Sequence, residues 1–448
     1  MLEMTDTTFD TVSDPLGLWQ DAPTSWDKRT LWDLATYVNG AAFKPTDFSS
    51  KGLPVIKITE LKYGITESTS YFDGEIDSKY AVKPGDLLFA WSGNPETSLD
   101  AFIWKGPEGL LNQHIFRVVP AVDVDKMWLF FLLKHMRPTF IRTARDKATS
   151  MGHVKVSDLK RLCAFVPKPD EQASIARILG LLHRLTQVNE LMGQSCESLI
   201  NSLFRSWFID FEPLVNSECF EPSIQRLFPS QLTDTNDDNF PRIPDGWAIR
   251  TIKECCVKVE NGGTPDRKIP EYWEPSVIPW LTSGEVKRRI IISTESSISQ
   301  AGYENSSAKL WAPGTTVIAL YGATAGQVCF LATETTANQA CCGLIPLPSW
   351  ESFVFAQASF LSTRFASLSR GSAQQNLSQG IVSDLKIVLP DEPVILAFDA
   401  LVTPIRKKWI NAIRQNAVLA EILESLTHKL VSGQISSTEA DQLVGVVI

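Results

Sequence analysis

The sequence predicts an α/β (α+β) chain: two similar mixed α/β domains separated by two long antiparallel coiled-coil helices, arranged with pseudo-two-fold symmetry. Three observations predict it. Short motifs recur in the same order at nearly equal offsets. Each copy ends in a long stretch of helical apolar period. Short β-branched and aromatic runs, bounded by turn residues, fill the space before that stretch.

The recurrence sets the domain plan. Val156–Lys160 (VSDLK) returns as Val382–Lys386 and Asn112-Gln113 returns as Asn338-Gln339, both at an offset of 226. Lys83–Phe89 (KPGDLLF) is echoed by Ala312–Ile318 (APGTTVI), and Trp26 opens the first copy as Trp247 opens the second. The expected division is an acidic N-terminal arm at 1–25, a first domain at 26–168, a helix at 169–212, an acidic linker at 213–246, a second domain at 247–391, a helix at 392–436 and a tail at 437–448.

Within the first copy Val55–Ile58, Leu87–Trp91 and Ile115–Val119 read as strands, matched in order by Val277–Leu281, Thr316–Tyr321 and Val328–Leu331 in the second. Lys126–His135 reads as a buried helix and Ser352–Leu361 as its counterpart. After Pro169 the period changes: Ile175, Ile178, Leu182, Leu185, Asn189, Met192, Cys196, Leu199 and Leu203 step by three and four, the seam of a coiled coil. Ile395, Phe398, Val402, Ile405, Trp409, Ala412, Asn416, Leu419, Leu423, Leu426 and Leu430 repeat the pattern. Pro404 should kink this second helix or delay its start, and Gly433 suits its stop. Each seam carries one asparagine near its middle. An unpaired amide in an apolar seam is costly, so Asn189 and Asn416 are expected to pair and fix the register of an antiparallel packing.

Composition narrows the function classes. No apolar run reaches the ~18 residues that span a bilayer, and the first 25 residues hold five acids with no Lys or Arg, unlike a signal peptide. That segment reads as a loose acidic arm, and the long acidic linker as a crossing of a wide gap. The two segments hold the whole net charge of −9, so the rest of the chain is balanced and local basic surfaces remain open. The eight cysteines form no CxxC and the five histidines no HExxH, which reads as buried thiols in a reducing cytoplasm and predicts no metal and no cofactor. No phosphate loop, no Asn-Pro-Pro-aromatic motif for amino methylation and no nucleophile elbow occurs. Glu60-Leu61-Lys62 and Asp384-Leu385-Lys386 mimic the tail of a nuclease motif, a triplet common by chance.

Several stretches resemble the specificity subunit of Type I restriction–modification systems. In the first copy they are Tyr37–Pro45 (YVNGAAFKP), Gly85–Gly93 (GDLLFAWSG) and Leu111–Phe116 (LNQHIF). In the second they are Asn261–Trp273 (NGGTPDRKIPEYW), Ile278–Val286 (IPWLTSGEV), Val317–Val328 (VIALYGATAGQV) and Asn338–Cys342 (NQACC). Asp170–Ile178 with Leu203–Pro213 (LFRSWFIDFEP) resembles the family's central conserved region, and Lys429–Ile435 (KLVSGQI) its ending. The resemblance implies two target recognition domains, each reading one half of a split site in double-stranded DNA. It implies helices that set the spacing between half-sites and dock two modification (methyltransferase) subunits, with restriction (motor–nuclease) subunits joining for cleavage. The chain would be non-catalytic, cytoplasmic and free of membrane partners. A non-DNA coiled-coil scaffold, and a specificity subunit serving a fused methylase–nuclease, stay open as alternatives.

DNA contact would divide into phosphate binding by Lys, Arg and backbone N–H groups and base reading by side chains. Candidates in the first copy are Lys57, Lys62, Tyr63, Ser92, Ser150 and His153. In the second they are Arg267, Lys268, Thr282, Ser283, Lys287, Arg288, Arg289, Tyr321, Gln374 and Gln375, with the Lys287–Arg289 turn expected to clamp phosphate. Phe89–Gly93 differs from Ala319–Thr324, so the two domains are expected to read different bases. Asn112-Gln113 and Asn338-Gln339 recur in both copies and are therefore assigned to a structural turn.

Overall fold

The computed structural model describes residues 14–145, 152–370 and 377–445. It divides into two compact units, Met1–Thr186 with Val418–Ile448 and Gln187–Ala417.

In the first unit Asp27–Thr30 pairs antiparallel with Cys163–Val166 and closes the domain on itself. The main sheet is antiparallel in the order Ala35–Asn39, Ile115–Pro120, Leu87–Ala90, Asp100–Ile103. Leu53–Ile56 runs parallel to Gly109–Leu111 in a smaller sheet. The helix Lys126–His135 has the bounds the sequence gives it. Asp125 caps its start, accepting from the N–H groups of Met127 and Trp128 at 2.8 and 2.9 Å. Trp128 to Leu133 are all buried in a core shared with Phe89 and Phe140.

The second unit repeats the plan. Ala248–Thr251 pairs with Lys386–Leu389, and Ile278–Leu281 runs parallel to Thr336–Ala337. Its main sheet is ordered Cys256–Asn261, Cys341–Pro346, Thr316–Ala319, Val328–Leu331, Ile290–Ile291. This corrects one strand assignment. The counterpart of Ile115–Pro120 is Cys341–Pro346, since both lie between the same neighbours, and Val328–Leu331 answers Asp100–Ile103. Adjacent Cys341 and Cys342 and a central glycine hid the true partner from a search for β-branched runs.

The long helices span Pro169–Phe208 and Glu392–Val431, 40 residues each. Pro404 neither delays nor ends the second, which is helical from Glu392 on. Pro404 and Ala400, whose carbonyl loses its N–H partner, are both exposed, so water can satisfy the freed oxygen. Gly433 takes φ +79 and its N–H reaches the Leu430 carbonyl at 3.3 Å, the expected stop. In the second unit the helices pack antiparallel: Asn189 Nδ2 donates to Asn416 Oδ1 at 3.0 Å, and Phe204 meets Phe398 with ring centroids 6.1 Å apart. A Cβ added to Gly193 would lie 3.0 Å from the Trp409 ring. Leu185 and Leu199 leave the expected seam and are exposed, while Ile200, Phe204 and Trp207 are buried. A helix of 3.6 residues per turn drifts away from a 3.5-residue stripe, and the domain packed beside it buries the drifted face.

Residues 1–13 of the expected acidic arm lie outside the described residues, but the rest of the arm and the acidic linker are packed. From Asp14 on the N-terminal stretch is ordered: the Asp14 carboxylate accepts from the N–H groups of Leu18 and Trp19 at 2.9 and 3.2 Å, and Trp19 is 1% exposed. The acidic linker crosses no gap. Phe228 lies between Trp207 and Trp247, at 5.6 and 5.7 Å, inside the second unit, and Leu232–Asp234 pairs with Arg242–Pro244. Composition had outweighed a few aromatics, and those aromatics decide the packing.

Trp19→Ala is expected to destabilise the protein by about 3–5 kcal/mol in urea unfolding, against less than about 0.5 kcal/mol for a loose arm. Replacing Asn189 alone by Leu removes its bond to Asn416 from a largely buried seam and should cost about 1–3 kcal/mol, whereas changing both to Leu should recover part of the loss. A double-mutant cycle with no coupling would contradict a stabilising pair.

Candidate nucleic-acid interface

The candidate contacts stand on a device used twice. In the first repeat the parallel strand Leu53–Ile56 feeds the short helix Ile58–Tyr63, started by Glu60, whose carboxylate accepts from the Lys57 N–H at 3.0 Å. In the second, Ile278–Leu281 feeds the turn Ser283–Arg288, started by Glu285, which accepts from the Thr282 N–H at 3.0 Å and its hydroxyl at 2.8 Å. Both carboxylates are 3% exposed. Sequence reading missed them because it searched these segments for cations.

The cations around this device differ in freedom. Lys57 donates to Ser70 Oγ at 2.9 Å and lies 4.3 Å over the Phe48 ring, and Lys62 donates to the Thr97 carbonyl. Tyr63 is 73% exposed. Arg267 stacks over Trp273 and Trp280, at 5.3 and 5.6 Å, which brings its loop to the strand feeding the turn. Lys268 and Lys287 are exposed and hold no ion pair among the described residues, and Ser283, the first residue of the turn, is partly exposed. Arg288 pairs with Glu285 at 3.3 Å and with Glu295.

Arg289 corrects the expected clamp. Its guanidinium meets Glu197 of the first long helix at 2.6 Å, the Val328 carbonyl at 2.7 Å and Ser359 Oγ at 3.0 Å, and lies over the Phe355 ring. Its backbone sits at φ +67, where a side-chain-bearing residue is strained. Arg289 therefore anchors the repeat to the helix, with its guanidinium already engaged.

The remaining candidates fall elsewhere. Ser92 Oγ and His153 Nδ1 lie 2.8 Å apart on the paired strands Ser92–Gly93 and Gly152–His153. Tyr321 is partly buried, and burial raises its phenol pKa above the usual value. Ser150, Gln374 and Gln375 lie outside the described residues. Asn112 and Asn338 shape the same turn in each repeat: their carbonyls accept from the N–H groups of Ile115 and Cys341, both at 3.1 Å. Gly40 and Gly262 pass so close that an added Cβ would lie 2.1 and 2.4 Å from the Asn112 and Asn338 carbonyl oxygens.

A second recurring feature carries no sequence identity. Gln172, 1% exposed, accepts from the Asp125 N–H at 2.8 Å at the start of the helix Lys126–His135. Asp399, 6% exposed, accepts from the Ser352 N–H at 2.5 Å at the start of Glu351–Phe360, and from Thr403 Oγ1 at 2.9 Å. Each long helix thus grips its own repeat through a buried polar contact. Among the described residues no group of His, Cys, Asp and Glu is placed to hold a metal ion, and no helix is long and apolar enough to cross a membrane.

Comparison with known proteins meets this duplicated geometry directly. The family described as Type I restriction modification DNA specificity domain matches twice, over residues 23–195 and 244–397, once per repeat. The chain belongs to that family. Among curated members, the Type I restriction enzyme MjaIX specificity subunit of Methanocaldococcus jannaschii is 25% identical over 333 residues, 73% of each chain. The HindI specificity subunit of Haemophilus influenzae is 23% identical over 412 residues, 80% of this chain and 88% of that one. The crystal structure of a Type I restriction–modification S subunit from M. genitalium shares the fold, with a TM-score of 0.56 at 14% identity, covering 92% of this chain and 96% of that one. In this specificity-domain chain each match runs from the start of a repeat into the long helix that follows it.

Arg289→Ala should therefore lower stability by about 2 kcal/mol or more, through loss of a partly buried ion pair. It should leave the dependence of DNA affinity on salt unchanged. Lys287→Ala should do the reverse, reducing the salt slope by about 1 with stability intact. Urea unfolding and a duplex titration at several salt concentrations separate the two effects.

Proposed function

We propose that this chain is the DNA sequence-specificity subunit of a Type I restriction–modification enzyme. Each repeat is a target recognition domain that reads one half of a bipartite site in double-stranded DNA. The two long helices set the spacing between half-sites and dock two modification (methyltransferase) subunits, with restriction (motor–nuclease) subunits joining that assembly in the cytoplasm. The observation that carries this reading is the double family match, one for each structural repeat, each continuing into its helix.

The chemistry of the chain fits that role. A subunit that reads DNA needs a rigid frame and exposed polar groups, and the described surface offers Lys287 and Tyr63 on elements fixed by buried carboxylates, with Lys268 on the neighbouring loop that Arg267 stacks against Trp273 and Trp280. Methyl transfer and cleavage would reside in the partner subunits.

Methylated positions mapped in a genome carrying this gene with its neighbouring methyltransferase gene should define a bipartite motif. Exchanging residues 26–168 for those of a relative should change one half of the motif only, and deleting two turns of helix within Pro169–Phe208 should shorten the spacer. Turnover of DNA by this chain alone, or one uninterrupted motif, would contradict the proposal.

A further inference from the structure

The two repeats offer an internal comparison at the end of the main sheet. Trp91 follows the strand Leu87–Ala90, and its N–H donates to the His114 carbonyl at 3.2 Å. Leu320 follows Thr316–Ala319, and its N–H donates to the Ala340 carbonyl at 2.8 Å. Val154 then donates to the Trp91 carbonyl and Leu377 to the Leu320 carbonyl, both at 2.9 Å. These matching bonds make Trp91 and Leu320 the same position on one backbone frame, and likewise His114 and Ala340. Ser92 and Tyr321 are the next pair.

On that shared frame the side chains diverge. Leu320 and Ala340 are buried, at 2% and 5% exposure, and finish an apolar corner. In the first repeat a partly exposed Trp91 stacks on Phe116 with centroids 5.4 Å apart, and its Nε1 donates to Asn39 Oδ1 at 3.2 Å. Two partly exposed imidazoles flank it, His153 at 5.8 Å and His114 at 6.2 Å. Ser92 Oγ holds His153 Nδ1, and the Gln113 amide lies 3.3 Å from His114 Nε2. His114 Nδ1 is buried with no hydrogen-bond partner among the described residues, so this side chain is kept at a cost to stability. Ala340 shows that the frame forms without it.

We propose that His114 and His153, positioned by Trp91 and flanked by Gln113, are base-reading residues of the first repeat, and that Tyr321 holds the corresponding place in the second. This rests on the reading of the chain as a DNA specificity subunit. With Nδ1 of His153 held by Ser92 and Nδ1 of His114 buried, each imidazole can present only its Nε2 edge, a single donor or acceptor set by the tautomer, to the N7, O6 or N6 of a purine in the major groove. A tyrosine offers one hydroxyl and a ring face, so it selects differently. The turn made by Asn112 and Asn338 recurs because it is frame, whereas His114 differs from Ala340, and Trp91 with the buried Ser92 differs from Leu320 with Tyr321, because these positions present or support the groups that face the base.

The test is methylation mapping with the whole system, comparing the native chain with His114→Ala, His153→Ala and Tyr321→Ser. His114→Ala installs the residue the second repeat already carries there, so folding is retained. Native far-UV circular dichroism and a single cooperative unfolding transition of each variant check that. The native chain should give a bipartite motif. His114→Ala and His153→Ala should each relax one position of one half by about tenfold in discrimination, and Tyr321→Ser should relax the other half. The salt dependence of binding should stay the same, because no phosphate contact is lost. A native motif with both halves unchanged in the folded variants overturns the base-reading assignment and leaves the specificity-subunit reading standing, as does a loss spread over both halves. Absence of any motif with the native chain overturns both.

Discussion

Gln172 and Asp399 occupy corresponding places at the start of the two long helices, and each receives a backbone N–H from the first turn of its repeat's buried helix. A recognition domain can report a base only if it is held rigidly on whatever sets its position along the duplex. A purely apolar contact between domain and helix would tolerate sliding by one side chain. A buried hydrogen bond does not, because displacement leaves a polar group unpaired at about 1–3 kcal/mol. In the second repeat the contact extends to Arg406, 7% exposed, which donates to Ser352 Oγ at 2.5 Å and covers the Phe330 ring, while Arg289 reaches Glu197 on the other long helix. The glutamine of one repeat and the aspartate of the other do the same work with different chemistry, which is why no repeated motif revealed them.

The duplication separates what must be constant from what must vary. Glycines at 40 and 262 allow the backbone to approach the Asn112 and Asn338 carbonyls more closely than any side chain permits. Glu60 and Glu285 start equivalent turns after equivalent parallel strands. These elements concern the backbone, and the backbone is shared. The residues between them concern whatever lies outside the chain, and they have diverged to different sizes and polarity. A protein with two copies of one reader thus contains its own control for which residues are structural.

That division also explains what the sequence made legible. The long helices and the helix Lys126–His135 were readable because their period, caps and apolar content agree. The pairing of Asn189 with Asn416 was readable because a lone amide in a seam demands a partner. Local pattern failed where a few distant contacts decide. Trp19 is buried within a segment that looks acidic and loose, and Phe228 joins Trp207 and Trp247 across a stretch that looks like linker. Arg289 stands in a basic run, yet its backbone angle and the three partners of its guanidinium turn it inward. At the candidate site the sequence pointed to these two turns but not to which of their cations hold ion pairs, since that depends on carboxylates brought in from elsewhere in the fold.

The chain's net charge of −9 gives these side-chain details their weight. Part of the acid is engaged in structure: Asp14 closes its own turn, and Asp237 holds Lys386 at 2.7 Å, the ammonium keeping that carboxyl below its usual pKa. Such groups cannot be shed to raise DNA affinity without loosening the fold. A net-negative reader gains little from the sequence-independent attraction of phosphates, so most positions along a duplex bind it weakly. In the proposed assembly phosphate binding would come largely from protein partners, while discrimination would lie with a few side chains at the ends of two sheets. Under that arrangement a single uncharged substitution at a sheet end alters which site is chosen, whereas removal of one exposed lysine alters only how strongly all sites are held.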